Sequence, residues 1–149
     1  MKLLALFASL IALAGCASHP EIKNQSNIKH MPEPKIKMID YVEIPSRNLS
    51  QTKVFFEALF GWRFTDYGPD YASFDDGRLT GGFYTSSEIS LVSRGSALII
   101  FYSPELEQSR DRVRALGATI TKDIFSFPGG RRFQFTEPGG SEFAIWSDK

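Results

Sequence analysis

The stretch Tyr41–Phe64, YVEIPSRNLSQTKVFFEALFGWRF, reads as a strand, a turn, a helix and the start of a second strand. Lys37–Ile44 alternates in the way a strand does, with Val42 and Ile44 on one face and Ile39, Tyr41 and Glu43 on the other. Pro45 has no amide to extend a ladder, so it ends the strand. Ser46 or Asn48 can then cap a helix with a side-chain oxygen. Leu49, Phe56, Leu59 and Phe60 fall on one broad helical stripe, and Gly61 supplies the stop. Trp62–Tyr67 is the next predicted strand.

Downstream, Gly68-Pro69 marks a turn. Short strands are predicted at Tyr71–Phe74 and Thr80–Tyr84, joined through Asp75-Asp76-Gly77. Ser86–Ser96 carries no clear period; Ile89–Val92 reads as either a brief strand or a linker. Ala97–Tyr102 is again of strand type. Ser103-Pro104-Glu105 then predicts a helix start: a capping hydroxyl, a proline in the first turn, and an acid near the positive end of the helix dipole. Leu106, Val113 and Leu116 form its apolar stripe, with Gly117 behind them. Strands at Thr119–Phe125, Arg131–Thr136 and Glu142–Trp146 follow, separated by the turns Pro128-Gly129-Gly130 and Pro138-Gly139-Gly140.

The two halves superimpose at a shift of 57 residues. Leu49 falls over Leu106, Phe56 over Val113, Leu59 over Leu116, Ser46 over Ser103 and Tyr41 over Leu98. Strand, capped helix and three short strands thus occur twice. The expectation is an α+β domain of two βαβββ modules over residues 36–149.

The N-terminal residues are of another kind. Lys2 precedes an apolar run, Leu3–Ala14, broken only by Ser9. A spanning helix needs roughly 20 apolar residues, so this run fits a secretory signal better than an anchor. It ends in Leu13-Ala14-Gly15-Cys16, which resembles the lipobox of bacterial lipoproteins. The resemblance implies that residues 1–15 are removed and that Cys16 carries the lipid as the first mature residue. Ala17 in place of an aspartate favours the outer membrane, facing the periplasm. Cys16 is the single cysteine, so no intramolecular disulfide forms. Residues 16–35 then read as a polar, proline-containing tether that could reach roughly 60 Å when extended. Its His19 and His30 read as solvated side chains. Seventeen basic residues balance seventeen acidic ones, leaving no electrostatic footprint for nucleic acid.

YVEIPSRNLSQTKVFFEALFGW resembles the opening of glyoxalase/bleomycin-resistance proteins of the vicinal oxygen chelate superfamily. RALGA (114–118) and GGRRFQFTEPGGSEFAIWS (129–147) resemble that family's second helix end and last hairpin. The resemblance covers about residues 36–148 and implies two βαβββ modules whose sheets curl around one central cavity. In metal-using members the ligands come from the first and last strand of each module. Those positions here are Tyr41, Leu98 and Ala144, with the fourth near Gly81-Gly82-Phe83. From Lys35 to Lys149 there is no histidine and no cysteine. Imidazole-dependent iron, zinc or nickel chemistry is therefore disfavoured, no cofactor is expected, and a Ser-His-Asp triad cannot form.

Strand alternation places Tyr41, Glu43, Leu98, Ile100, Tyr102, Ala144 and Trp146 toward the cavity, an aromatic pocket with few polar groups. Glu43 is the candidate acceptor or general base. Arg131 and Arg132 read as a solvated hairpin end or, less readily, as an anion clamp. The favoured function is a metal-free, membrane-anchored binder of a small organic ligand in the bacterial cell envelope. The alternatives are a glyoxalase-like lyase or isomerase, metal-dependent or with Glu43 as base, and a non-catalytic envelope scaffold with a plugged cavity. A homodimer is also compatible with the resemblance, although no stretch marks an interface.

Overall fold

The computed structural model describes residues 38–149. The expected signal segment, Cys16 and the expected tether lie outside the described residues. One module holds β1 (Tyr41–Ser46), α1 (Leu49–Phe60), β2 (Arg63–Asp66), β3 (Tyr71–Asp75) and β4 (Thr80–Thr85). The other holds β5 (Ile99–Tyr102), α2 (Leu106–Ala115), β6 (Thr119–Phe127), β7 (Gly130–Thr136) and β8 (Glu142–Ser147). Between them Val92–Arg94 makes one 3₁₀ turn, so Ile89–Val92 is linker and not strand. This is the α+β, twice-βαβββ fold that the sequence predicts.

Each module builds one four-stranded sheet, in the orders β1-β4-β3-β2 and β5-β8-β7-β6. The first strand of each module runs parallel to its last, as the intervening helix crossover requires. Two strand starts differ from the sequence reading by two residues or more, and β1 does not end at Pro45 but runs on to Ser46. β1 begins at Tyr41 because its partner Thr80 is the first residue of β4, so Met38 and Ile39 have nothing to pair with and stay exposed. Likewise β5 begins at Ile99, opposite Phe143, which leaves Leu98 ahead of the strand.

The helix starts show how far the internal repeat extends. Asn48 caps α1, accepting from the Gln51 amide at 3.1 Å, and Gly61 closes it in the left-handed region at φ 72. Ser103 does not cap α2, which starts later than Ser103-Pro104 suggests. Instead its hydroxyl accepts from the Glu105 amide at 3.2 Å and from the Ser109 hydroxyl at 2.7 Å. Shifted back by 57 residues, the Ser46 hydroxyl accepts from the Asn48 amide at 3.0 Å and bonds the Thr52 hydroxyl at 2.8 Å. The duplication is therefore kept at the level of single hydrogen bonds.

Phe56, with no exposed surface, decides how the modules meet. Its ring centre lies 5.2 Å from Phe83 on β4, 5.2 Å from Phe143 on β8 and 6.2 Å from Phe101 on β5. Phe55 beside it reaches Phe135 on β7 at 6.0 Å. Leu106 and Val113 add the apolar stripe of α2 to the same core. Each fully buried phenylalanine contributes about 1.5–3 kcal/mol. The helix-facing sides of both sheets thus share one core, and their opposite sides are left open.

A buried polar node closes the seam. The Glu137 carboxylate accepts from the Thr52 hydroxyl at 2.8 Å, the Gly139 amide at 2.6 Å and the Ser141 amide at 3.1 Å. The Ser141 hydroxyl in turn donates to the Pro45 carbonyl at 2.6 Å. Among the described residues, no helix is long and apolar enough to cross a membrane.

Candidate functional site

The open face of the first sheet carries the densest polar chemistry. The register puts Tyr41 level with Thr80, and Glu43 level with Gly82 and Ser73, so these side chains share the face that the core does not use. Tyr41 and Tyr71 approach to 2.6 Å between hydroxyl oxygens, and the Tyr71 hydroxyl donates to Glu43 Oε1 at 3.2 Å. With the Tyr71 proton committed to Glu43, Tyr41 is the donor to Tyr71. Gly82 lies beneath this chain, and a Cβ there would overlap the Tyr71 ring and hydroxyl. Partial burial, then the hydrogen bond and electrostatic interaction with Tyr41, then those with Glu43, hold the Tyr71 phenol far above the usual range. Kept protonated at ordinary pH, it donates to Glu43 while accepting from Tyr41.

Beside this chain lies a hollow of about 540 Å³, lined by Tyr41, Arg63, Thr65, Tyr67, Tyr71 and Ser73 among others. Tyr71 was not among the residues that the sequence reading singled out. The signal was present, however: in the predicted strand Tyr71–Phe74, Ala72 and Phe74 take the core side, and the same period of two turns Tyr71 and Ser73 to the open side.

The second sheet carries the other part of the expected pocket. Ile100 pairs with Ala144, and Tyr102 with Trp146. Ile100 is 41% exposed and Tyr102 53% exposed, so this is again the open face. Tyr102 packs edge-on against Trp146 with ring centres 5.2 Å apart. Its hydroxyl donates to Asp148 at 2.9 Å, and that bond, with partial burial, raises the phenol above its usual range. Ala144 is fully buried on this sheet. A hollow of about 230 Å³ is lined by Ile100, Phe127, Arg132 and Trp146.

The seven residues expected around one pocket are therefore divided, with Ile100 on the second sheet opposite Ala144. Tyr41 and Glu43 stand together on the first sheet, and Tyr102, Ala144 and Trp146 on the second. Leu98 precedes β5 and lines neither hollow. Both helix-facing sides turn onto one core, in which the Phe56 ring touches strands of both sheets. Neither hollow contains a residue of the other sheet.

The donor set does not fit a catalytic metal. Tyr41, Leu98 and Ala144 offer one phenol and two alkyl groups, and Gly81–Tyr84 adds no carboxylate or imidazole. Among the described residues no three His, Cys, Asp or Glu side chains converge. Glu43 alone cannot satisfy a divalent ion that takes four or more ligands.

A glyoxalase/bleomycin resistance protein/dioxygenase family enzyme from Burkholderia phytofirmans PsJN superimposes with a TM-score of 0.63 at 20% identity, covering 74% of this chain and 100% of that one. The fosfomycin resistance protein FosX from Listeria monocytogenes, solved with Mn(II) and 1S,2S-dihydroxypropylphosphonic acid, gives 0.62 at 17% identity, covering 74% and 90%. Lactoylglutathione lyase from Agrobacterium tumefaciens gives 0.58 at 16% identity, covering 76% and 96%. At such identities the likeness shows the fold alone. No curated protein matches the chain in sequence. The family model described as the Glyoxalase/Bleomycin resistance protein/Dioxygenase superfamily matches residues 38–145. The chain belongs to that superfamily.

Proposed function

We propose that this protein is a metal-free binder of a small organic ligand, held at the bacterial envelope by a lipid on Cys16. The observation that carries the reading is the Tyr41–Tyr71–Glu43 chain beside the 540 Å³ hollow. Where metal-using relatives need donor atoms, this face presents two phenols, a carboxylate acceptor and the guanidinium of Arg63. Such a set suits an organic molecule with a flat face and hydrogen-bond donors. The ring faces of Tyr41, Tyr67 and Tyr71 supply contact area, and Glu43 supplies direction. A lipidated Cys16, with residues 17–35 as tether, would place the domain in the periplasm near the outer membrane.

A homodimer belongs to the same reading. Each chain leaves both open sheet faces half-walled, and a second copy would enclose them. Sedimentation of the full chain tests this; a monomer at all concentrations would leave the first-sheet hollow as an open groove.

The deciding experiment is a ligand panel read by thermal shift, run on wild type and on Glu43→Gln. A true ligand at 100 times its Kd should add about 2.7 kcal/mol of stability, and Glu43→Gln should weaken it. Elemental analysis after loading with nickel, zinc, iron and manganese runs alongside. Stoichiometric metal, or turnover abolished by Glu43→Gln, would replace binding with an enzymatic function. Cys16→Ser should move the protein out of the membrane fraction.

A further inference from the structure

The second sheet holds an arginine for which the fold provides no acceptor. Arg132 stands on β7, level with Phe125 on β6 and with Trp146 on β8. Its guanidinium carbon lies 5.1 Å from the Phe125 ring centre and 5.4 Å from that of Phe127. The planar group is therefore laid against two aromatic faces, a contact that suits arginine and fixes its direction. Its Nε is buried with no hydrogen-bond partner. The neighbouring Arg131 differs: it bonds Glu107 at 2.5 Å and the Lys149 carbonyl at 2.8 Å.

The surroundings make this lack of an acceptor informative. Lys122 places its ammonium 3.8 Å from the centre of the same Phe125 ring, bringing a second cation to the face. Among the described residues, the ion pairs include neither Arg132 nor Lys122. The carboxylate at the edge of this face, Asp148, is engaged by the Tyr102 hydroxyl. Leaving the buried Nε without an acceptor costs folding free energy. The adjoining hollow of about 230 Å³ has Ile100, Phe127 and Trp146 as its remaining walls.

We propose that this hollow is a binding site for small aromatic carboxylic acids. The carboxylate takes the free donors of Arg132, and the ring lies against Trp146 and Ile100. One planar fork matches one carboxylate, whereas a phosphate would want more donors and a wetter wall than this face offers. The site lies on the opposite sheet from Tyr41 and Glu43 and does not depend on how that face functions.

The test titrates the full chain with benzoate and with its neutral counterpart benzamide, following the Trp146 indole N–H resonance. Benzoate should shift that resonance saturably and bind about tenfold more tightly than benzamide, the advantage of a charge-assisted bond over a neutral one. Arg132→Gln should bring benzoate down to the benzamide level, while Arg131→Gln should leave the preference intact. Equal binding of the two probes, or a preference that survives Arg132→Gln at unchanged melting temperature, overturns the proposal. Should Arg132→Gln fail to fold, Arg132→Lys decides: it keeps the charge but loses the flat fork, so an undiminished preference would refute the site.

Discussion

The Thr52 hydroxyl donates to the Glu137 carboxylate at 2.8 Å in the buried interior, tying α1 to the turn between β7 and β8. Ser46, at the end of β1, bonds the same Thr52 hydroxyl, so one node joins both modules. Glu137→Ala would leave the Thr52 hydroxyl and the Gly139 and Ser141 amides without acceptors. A loss of about 3 kcal/mol is expected, since each buried unpaired group costs about 1–3 kcal/mol. Gly139→Ala attacks the node from the other side, because its Cβ would overlap Ser46 Oγ and Thr52 Oγ1. It should cost about 1–3 kcal/mol by overpacking. Urea denaturation of both variants checks these values.

The same carboxylate predicts a pH dependence. Burial pushes Glu137 above the usual carboxylate range, while its bonds to Gly139, Thr52 and Ser141 pull it partway back. A carboxyl whose folded value is raised contributes stability at low pH, where both states are protonated. That contribution is lost as pH rises through the folded value, because the unfolded chain ionises first. Glu137→Gln removes the titration. The stability of wild type relative to Glu137→Gln should therefore fall as pH climbs above the ordinary carboxylate range, as measured by melting temperature across buffers from acid to neutral. A flat difference would mean that the three donors outweigh burial.

Phe56 makes a sharper demand on the fold, since its ring touches strands of both modules. Phe56→Ala should cost about 3–5 kcal/mol, the range for deleting a buried aromatic ring. Because the core is shared, the loss should appear as one cooperative transition at lower denaturant and not as separate melting of the modules. Val113→Ala, at the equivalent position of α2, removes far less volume and should cost about 1–2 kcal/mol. Circular dichroism and tryptophan fluorescence should give coincident curves for both variants.

Fold and site were unequally legible in the sequence. The repeat at 57 residues, the helix stripes and the Gly-containing turns are local signals, and they gave the module order and the face of nearly every strand. Val42, Ile44, Phe101, Phe143 and Ile145 lie on the core side, as alternation requires. What periodicity cannot convey is which way two modules turn when they meet. That choice rests on aromatic packing of Phe56 against Phe83 and Phe143, contacts between residues far apart in sequence. Tyr41 and Trp146 line separate hollows, one on each sheet. Glu137 escaped notice for a related reason: its neighbour sequence marks a turn, and only the tertiary approach of Thr52 makes it a buried acceptor.

The Tyr71 phenol offers a direct test of the first-sheet arrangement. It is lifted above the usual phenol range first by burial, then by Tyr41 and by the charge of Glu43. In wild type it should titrate well above the usual phenol range, as followed by carbon-13 shifts of labelled tyrosine. Glu43→Gln removes the charge and should move Tyr71 downward, and Tyr41→Phe should do the same by removing a hydroxyl partner. Gly82→Ala should have the largest effect, because its Cβ would occupy the place of the Tyr71 hydroxyl and swing the ring into water. Folding linkage gives an independent reading: with its folded value raised, Tyr71 contributes stability below the unfolded phenol range that is lost as pH rises through the folded value. Tyr71→Phe should therefore weaken the alkaline loss of stability. A Tyr71 resonance that titrates within the usual phenol range would show that the chain from Tyr41 through Tyr71 to Glu43 does not persist in solution.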